Sequence, residues 1–213
     1  IFIRFINNKI VTKSIFLLIG FILISHEIIK PFYRVIFYDH SIFEVLPLHI
    51  CHIAAISMGL YVFTKIKYFF EVGYFFGLSG NFLAIITPDL DFSFPDAEYI
   101  TYYFGHGLLL LAVIYACVCT KVQLTWWSVL RVLLFAVCLL PLIYGLNIYI
   151  SEFFNDANYW YLMITPAANT LLDIFPSPPM HIPYLAMITV IIFTLIYLPF
   201  KYLNKNKQLT FLR

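Results

Sequence analysis

LPLHICHIAAISMGLYVFTKIKYFFEVGYFFGLSG, residues 46–80, contains two apolar runs joined by the basic turn Lys65-Ile66-Lys67. A helix needs about 20 residues to cross a bilayer, and each run is close to that length. A connection this short makes consecutive helices antiparallel neighbours. Gly73 and Gly77, on one face of the second run, permit close helix contact. The stretch therefore predicts a transmembrane helical hairpin.

The whole chain has the composition of an integral membrane protein. Of 213 residues, 62% are hydrophobic and 11% are charged, whereas soluble domains carry about 25% charged residues. The formal net charge of +2 is too small for a basic surface that binds nucleic acid. The length suits one transmembrane domain, residues 1–213, without a separate soluble domain.

Six stretches are apolar and long enough to be predicted as spans. They cover approximately residues 13–33, 45–64, 68–87, 100–120, 126–149 and 184–203. The predicted fold is an all-α, polytopic membrane protein with six transmembrane helices. Lys and Arg concentrate on the cytoplasmic side of membrane proteins, and both termini are predicted to be cytoplasmic because only Lys30 and Arg34 then lie outside. The expected location is the cell membrane, with a long extracellular loop, residues 151–183, that contains one or two short helices.

Unusual polar side chains collect at the predicted outer end of this bundle. His49 and Cys51 lie in the first turns of the second span, and His106 lies about two turns into the fourth. Ionisable side chains inside a membrane are costly, which makes them candidates for function. The candidate substrate-binding side chains at the same end are Asn81, Asp89, Asn158 and Asp173.

Cys51 and the histidines suggest nucleophilic chemistry. An imidazole can remove the proton of a thiol, and the thiolate is a strong nucleophile. Residues i and i+2 of a helix point about 200° apart, so Cys51 and His49 share a face only if Pro47 distorts the first turn. His106, from another helix at a matching depth, is the better partner. A buried structural cysteine explains Cys51 equally well, and packing as small hydrophobes is predicted for Cys117, Cys119 and Cys138.

Two other functions fit the same residues. A lipid amidase could hold zinc with the nitrogens of His49, His52 and His106. No H-E-x-x-H or H-x-x-x-H pattern occurs, however, and neither a metal nor another cofactor is predicted. A transporter or a lipid-binding protein without chemistry would also need buried polar groups. Against a transporter, the polar groups lie near one surface, and no inverted repeat is visible.

Several motifs occur in order along the chain. They are LPLHICHIA (46–54), YFFGLSGNFLAIITPDL (74–90), FP (94–95), YYFGHGLLLL (102–111), NYWYL (158–162) and LLD (171–173). With these motifs the chain resembles the YwaF-like bacterial integral membrane proteins, which are distantly related to a eukaryotic family of transmembrane acyltransferases that remodel ether phospholipids. The resemblance implies a six-span bundle and fatty-acyl transfer on a lipid through cysteine and histidine.

The resemblance also assigns residues. His106 matches the histidine of the family's S/Q/G-H-G-L motif, and His49 matches the histidine of its P-x-H motif. In the eukaryotic branch the nucleophilic cysteine immediately precedes the latter histidine. This sequence has Leu48 there, and Cys51 follows His49 by two residues.

The favoured hypothesis is a membrane acyltransferase or lipid hydrolase that acts at the outer leaflet. Cys51 would be the nucleophile, and His106 would be the general base that later protonates the leaving group. The groups available to polarise the ester carbonyl are His49, Asn81 and Asn158, and those available to orient a histidine are Asp89 and Asp173. The expected partners are membrane phospholipids or lysophospholipids that enter sideways from the bilayer.

Overall fold

The chain folds into a bundle of helices. The computed structural model describes residues 8–120, 122–153, 158–166 and 171–211, and every regular element in these ranges is a helix. The α-helices are α1 (Lys9–Tyr38), α2 (Ile50–Thr64), α3 (Lys67–Ile86), α4 (Ala97–Cys119), α5 (Trp126–Phe153) and α6 (Ile182–Phe211). Two single-turn 3₁₀ helices, Tyr159–Tyr161 and Leu171–Ile174, lie between α5 and α6. They lie in the connection for which one or two short helices are predicted.

Five of the α-helices in the described ranges are long and apolar enough to cross a membrane: α1, α3, α4, α5 and α6. The remaining helix, α2, has 15 residues, which gives about 22 Å and is less than the thickness of the hydrocarbon core. The predicted second span, 45–64, begins too early, because residues 45–49 are not helical. Pro47 disfavours a helical conformation before it, and His49 is extended (φ −62°, ψ 155°) as the N-cap of α2. That the chain crosses the membrane six times stays a prediction.

The predicted antiparallel hairpin is formed by α2 and α3. Lys65 ends α2 in a left-handed conformation (φ 58°), and α3 begins at Lys67. A Cβ atom on Gly73 would lie 3.0 Å from Cε of Met58 on α2. The absence of a side chain at Gly73 therefore lets the two helices pack closely.

α3 lies at the centre of the bundle. It contacts α2, α4, α5 and α6, while α1 packs against α2 and α4. The rings of Phe70, Phe75 and Phe76 on α3 are buried. By contrast, Phe21 and Trp127 on the outer helices are exposed, as expected for surfaces that face lipid.

Polar contacts join the end of α1 to the start of α4. Tyr38 donates a hydrogen bond to Oδ1 of Asp96 (2.8 Å), and Asp96 caps α4 by accepting from the backbone N–H of Glu98 (2.7 Å). Arg34 forms an ion pair with Glu98 (2.9 Å). These contacts align the last turns of α1 with the first turns of α4, where the site described below is located.

The segment after α5 covers the start of α2. The hydroxyl of Tyr159, a buried residue, donates to the carbonyl of Phe43 (2.5 Å) and accepts from the N–H of Leu46 (3.0 Å). Nε1 of Trp160 donates to the carbonyl of Leu48 (2.8 Å). These bonds satisfy backbone groups of the non-helical segment before α2, which would otherwise be costly to bury.

Candidate active site

A narrow cavity of about 10 Å³, lined by polar and apolar side chains, lies between α1, α2, α3 and α4. Its polar lining consists of His26, Glu27 and Lys30 from α1, Cys51 and His52 from α2, Asn81 from α3, and His106 from α4. These groups lie at the end of the bundle where α1 and α3 finish and where α2 and α4 begin. The cavity brings together three of the predicted site residues, Cys51, Asn81 and His106.

Glu27 is at the centre of this polar group. The residue is 6% exposed. Its Oε1 lies 3.2 Å from Nδ1 of His26, and its Oε2 is hydrogen-bonded to Nδ1 of His52. A buried carboxylate needs such partners. Sequence reasoning assigned the orienting of a histidine to Asp89 or Asp173, but the cavity carboxylate that contacts histidines is Glu27.

His26 connects α1 to α4. Its Nε2 lies 3.3 Å from the carbonyl oxygen of Thr101. A carbonyl oxygen only accepts hydrogen bonds, so Nε2 carries the hydrogen. A Cβ atom on Gly105 would lie 2.5 Å from Cε1 of His26, whereas nothing lies within 4 Å of one on Gly107. The first glycine of the G-H-G motif is therefore required for the close approach of His26.

His106 presents a free nitrogen in the cavity. Its Nδ1 lies 2.8 Å from the carbonyl oxygen of Tyr102, one turn earlier on α4. Nδ1 therefore carries the hydrogen, and Nε2 has the lone pair of a neutral imidazole. Nε2 is buried and has no hydrogen-bond partner in the structure. A fixed tautomer with an unpaired Nε2 is the arrangement that a general base requires.

Asn81 holds His106 from the neighbouring helix. Its Nδ2 donates to the backbone carbonyl of His106 (2.9 Å), and its Oδ1 is buried without a partner among the described residues. One amide hydrogen is thus used within the protein, and the second hydrogen remains for a ligand. Asn81 joins α3 to α4 at the level of the cavity.

The start of α2 decides which polar residues face the cavity. Because α2 begins at Ile50, Cys51 and His52 are in its first turn and both line the cavity. His49 precedes the helix and is not part of the cavity lining. Its ring lies 5.2 Å from the ring of Tyr159 and 5.6 Å from that of Tyr161. The structure thus separates Cys51 from His49, as the spacing predicts.

Leu48 lies outside the cavity as well. Its side chain packs in an apolar cluster around Ile143 and Ile150 of α5. Its carbonyl is held by the Trp160 indole. A cysteine side chain at position 48 would therefore lie in apolar packing, whereas Cys51 opens on the polar cavity.

The remaining predicted residues belong to the loops. Asp89 accepts a hydrogen bond from the Tyr161 hydroxyl (3.0 Å). Asn158 bonds locally, since its Nδ2 donates to the carbonyl of Ile164 (2.6 Å) and its Oδ1 accepts from two backbone N–H groups. Asp173 is exposed in the second 3₁₀ helix. The structure does not bring these three side chains into the cavity.

The tyrosines above the site are neutral hydrogen-bond donors. Burial raises the pKa of Tyr159 to about 12. Burial, together with the Asp89 carboxylate, also raises the pKa of Tyr161. Both hydroxyls therefore stay protonated at neutral pH and hold the loop over the start of α2.

Lys30 adds positive charge to the cavity. Its ammonium lies 5.9 Å from the centre of the Tyr102 ring, within range of a cation–π contact. Tyr102 is the residue that fixes the His106 tautomer, so Lys30 and His106 belong to one neighbourhood. The field at this wall of the cavity favours an anion or an oxygen that gains negative charge.

The histidines do not form a metal site in the part of the chain that the structure describes. There, no group of three His, Cys, Asp or Glu side chains is arranged to hold a metal ion. Of the three proposed zinc ligands, His52 binds Glu27 through Nδ1, and His49 lies outside the cavity lining. The zinc amidase hypothesis therefore lacks its ligand set.

Sequence reasoning missed Glu27 and His26. Both lie in SHEIIK, residues 25–30, inside the first predicted span. An ionisable residue within an apolar run is itself a signal of function. That signal was available in the sequence, but the pairing of Glu27 with His52 requires two helices that are distant in the chain.

The residues that form the cavity lie within the part of the chain that matches a known protein family. The chain matches the model of the TMEM164 family over residues 1–197 and belongs to this transmembrane protein family. Neither a curated protein nor a solved structure matches the chain. The matched range contains all four helices of the cavity and the loop over α2.

Proposed function

We propose that the protein is a membrane-embedded acyltransferase, or lipid hydrolase, that uses Cys51 as its nucleophile. The observation that carries this proposal is the unpaired Nε2 of His106, which lies in the same cavity as the Cys51 thiol. A thiol and an imidazole with a fixed tautomer are the two groups that covalent acyl transfer needs.

The reaction begins with proton transfer from Sγ of Cys51 to Nε2 of His106. The sulfur attacks the carbonyl carbon of an acyl ester, a C–S bond forms, and the ester C–O bond breaks. The leaving alkoxide takes the proton back from His106, as in other nucleophile–histidine pairs. The acyl group then remains on Cys51 as a thioester until an acceptor removes it.

Two polar groups are available to stabilise the negative charge on the ester oxygen. The second amide hydrogen of Asn81 and the ammonium of Lys30 both belong to the cavity lining. Hydrogen-bond donors and cations fixed at a developing oxyanion lower the barrier because they need no reorganisation. His49 and Asn158, the other predicted donors, have less support, since neither lines the cavity.

The surroundings of the cavity favour a lipid substrate. The outer helices expose large apolar side chains such as Phe21, Phe32 and Phe104, and a substrate that moves within the bilayer can reach the cavity between them. A phospholipid brings an ester near the level of the helix ends and leaves its chains in the apolar layer. Phospholipids and lysophospholipids are therefore the proposed donor and acceptor.

The experiment is lipid mass spectrometry on cells that express the wild type, Cys51→Ala or His106→Ala. We expect both variants to lose the acyl-lipid species that the wild type produces, by about 100-fold or more for His106→Ala. Cys138→Ala is the matched control, because Cys138 is exposed on α5, which contributes no residue to the cavity lining. Unchanged acyl-lipid profiles in both cavity variants would contradict the proposal.

A further inference from the structure

The cavity holds a second histidine that is prepared for proton transfer. Nδ1 of His52 is hydrogen-bonded to Oε2 of Glu27. With the carboxylate as acceptor, Nδ1 carries the hydrogen, and Nε2 carries the lone pair. His52 and His106 therefore have the same tautomer and line the same cavity.

The two histidines differ in the group that orients them. His106 donates to a neutral backbone carbonyl, that of Tyr102, whereas His52 donates to the carboxylate of Glu27. A carboxylate stabilises the imidazolium that forms when the histidine accepts a proton. Enzymes with a serine nucleophile use this arrangement, while those with a cysteine nucleophile pair histidine with a neutral amide. The reason is that a thiol is a much stronger acid than an alcohol or water.

The two histidines also differ in their position relative to Cys51. Cys51 and His52 are consecutive residues of α2, so their side chains point about 100° apart. His106 reaches the cavity from another helix, α4. His106 is thus suited to the thiol, and His52 is suited to a molecule that enters beside the thiol.

We infer that His52, positioned by Glu27, is a second base that activates a hydroxyl acceptor after the acyl group has moved to Cys51. The inference rests on the proposed function. It divides the reaction between two histidines: His106 serves formation of the thioester, and His52 serves its consumption.

The second half-reaction moves the acyl group from Cys51 to the acceptor. The acceptor hydroxyl, from a lysolipid or from water, gives its proton to Nε2 of His52 while its oxygen attacks the thioester carbonyl. A C–O bond forms, the C–S bond breaks, and the Cys51 thiolate takes the proton from His52. The enzyme returns to its starting state without a further reactant.

His26 supports this base. Its Nδ1 lies 3.2 Å from Oε1 of Glu27, and its Nε2 lies 3.3 Å from the carbonyl oxygen of Thr101 on α4, so each carboxylate oxygen of Glu27 has a histidine neighbour. His26 and Glu27 are therefore positioning residues. Neither needs to contact the substrate for His52 to act.

The test measures the two half-reactions separately on purified full-length protein in phosphatidylcholine vesicles. The donor is a phosphatidylcholine with a fluorescent sn-2 acyl chain, and the acceptor is lysophosphatidylethanolamine. Intact-protein mass spectrometry follows the acyl adduct on Cys51, and chromatography follows the acylated acceptor. The variants are His52→Gln, Glu27→Gln and His106→Gln. The matched control is His40→Gln, which breaks another His–Glu pair, with Glu44 (3.3 Å), outside the cavity.

We expect His52→Gln and Glu27→Gln to form the adduct at the wild-type rate and to accumulate it, while acceptor acylation falls by about 100-fold or more. Hydroxylamine, which cleaves thioesters without a base, should release the accumulated acyl group. His106→Gln should form no adduct, and His40→Gln should behave as the wild type. Two variants of one base keep the test valid if either of them fails to fold.

The inference is overturned if both His52→Gln and Glu27→Gln lose adduct formation as completely as His106→Gln, or if both retain acceptor acylation. A wild-type protein that transfers no acyl group to the acceptor, and that forms no adduct on Cys51 when the acceptor is omitted, would instead refute the proposed function. The two failures are thus distinguished by the wild-type protein alone.

Discussion

At the scale of single residues, the site depends on how closely His26 approaches α4. Its ring occupies the space where residue 105 would have a Cβ atom, and this places its Nδ1 against Glu27. A glycine at position 105 is thus as much a part of the site as the histidine that follows it. The adjacent Gly107 has no such neighbour.

Gly105→Ala is expected to destabilise the protein by about 1–3 kcal/mol, the usual effect of overpacking. The new methyl group would displace the His26 ring, and acyl transfer should fall because Glu27 loses one of its partners. Thermal unfolding in detergent and the vesicle assay measure the two effects.

Gly107→Ala is the matched control for this prediction, because a methyl group there meets open space. Its free energy of unfolding should stay within about 0.5 kcal/mol of the wild type. Equal effects of the two substitutions would show that the packing of His26 is not the reason for Gly105.

At the scale of elements, the 3₁₀ helix Tyr159–Tyr161 determines where α2 begins. Three backbone groups before α2 bond to side chains of this 3₁₀ helix: the carbonyls of Phe43 and Leu48 and the N–H of Leu46. Asn147 of α5 fixes the 3₁₀ helix in turn, since its amide bonds both the N–H and the carbonyl of Tyr159 (2.9 Å each). Without these contacts, the pattern of apolar residues alone would favour a longer helix.

Tyr159→Phe removes the hydroxyl that serves Phe43 and Leu46. We expect a loss of about 0.5–1.5 kcal/mol in the free energy of unfolding, because a part-buried carbonyl and a part-buried N–H lose their partner. Proteolysis between residues 39 and 49 should become faster. Tyr184→Phe, at an exposed position in α6, should change neither quantity; a comparable loss there would argue against the assigned role of Tyr159.

α3 and α5 are joined by an ion pair at the opposite end of the bundle. Glu71 is fully buried and accepts from Nε of Arg131 (2.9 Å) and from Oγ of Ser128 (2.7 Å). Lys67 is more distant, with its Nζ 3.6 Å from Oε1 of Glu71. The strongest part of this contact is therefore the guanidinium of Arg131.

Arg131→Met should destabilise the bundle by about 3–5 kcal/mol, since it leaves a buried carboxylate without its main partner. Lys67→Met should cost less than about 1 kcal/mol, because the Lys67 side chain is 44% exposed and the pair is long. Denaturant titration in mixed micelles compares the two variants. An equal loss of stability in both variants would contradict the larger contribution assigned to Arg131.

At the scale of the whole molecule, the distribution of Lys and Arg predicts that the cavity end of the bundle faces the cell exterior. Asp91, in the exposed connection between α3 and α4, lies at that end, and Ile66, in the turn between α2 and α3, lies at the other. In a background without the four native cysteines, a membrane-impermeant maleimide should label Asp91→Cys in intact cells. Ile66→Cys should react only after permeabilisation, and the reverse pattern would invert the predicted orientation.

The fold was largely predictable because its signals are local. A run of apolar residues, a basic turn and a glycine spacing are each contained within one or two helices, so they identify the α2–α3 hairpin and the long helices directly. Cys51, Asn81 and His106 were also predicted as one layer, because depth along a helix follows from counting residues. The short length of α2 was not predictable, since it depends on contacts with residues 159–160.

The sequence by itself determined the apolar composition of the chain, its long helices, and how far along their helices Cys51 and His106 lie. Only the tertiary structure decided that Glu27 bonds His52, that His49 is excluded from the cavity, and that Gly105 accommodates His26. The physical reason is that the position of a residue along its helix depends on that helix alone. Which neighbouring helix its side chain faces depends on how two helices pack. The rotation of each helix about its axis is set by side-chain packing against its neighbours, and no local pattern in the sequence contains it.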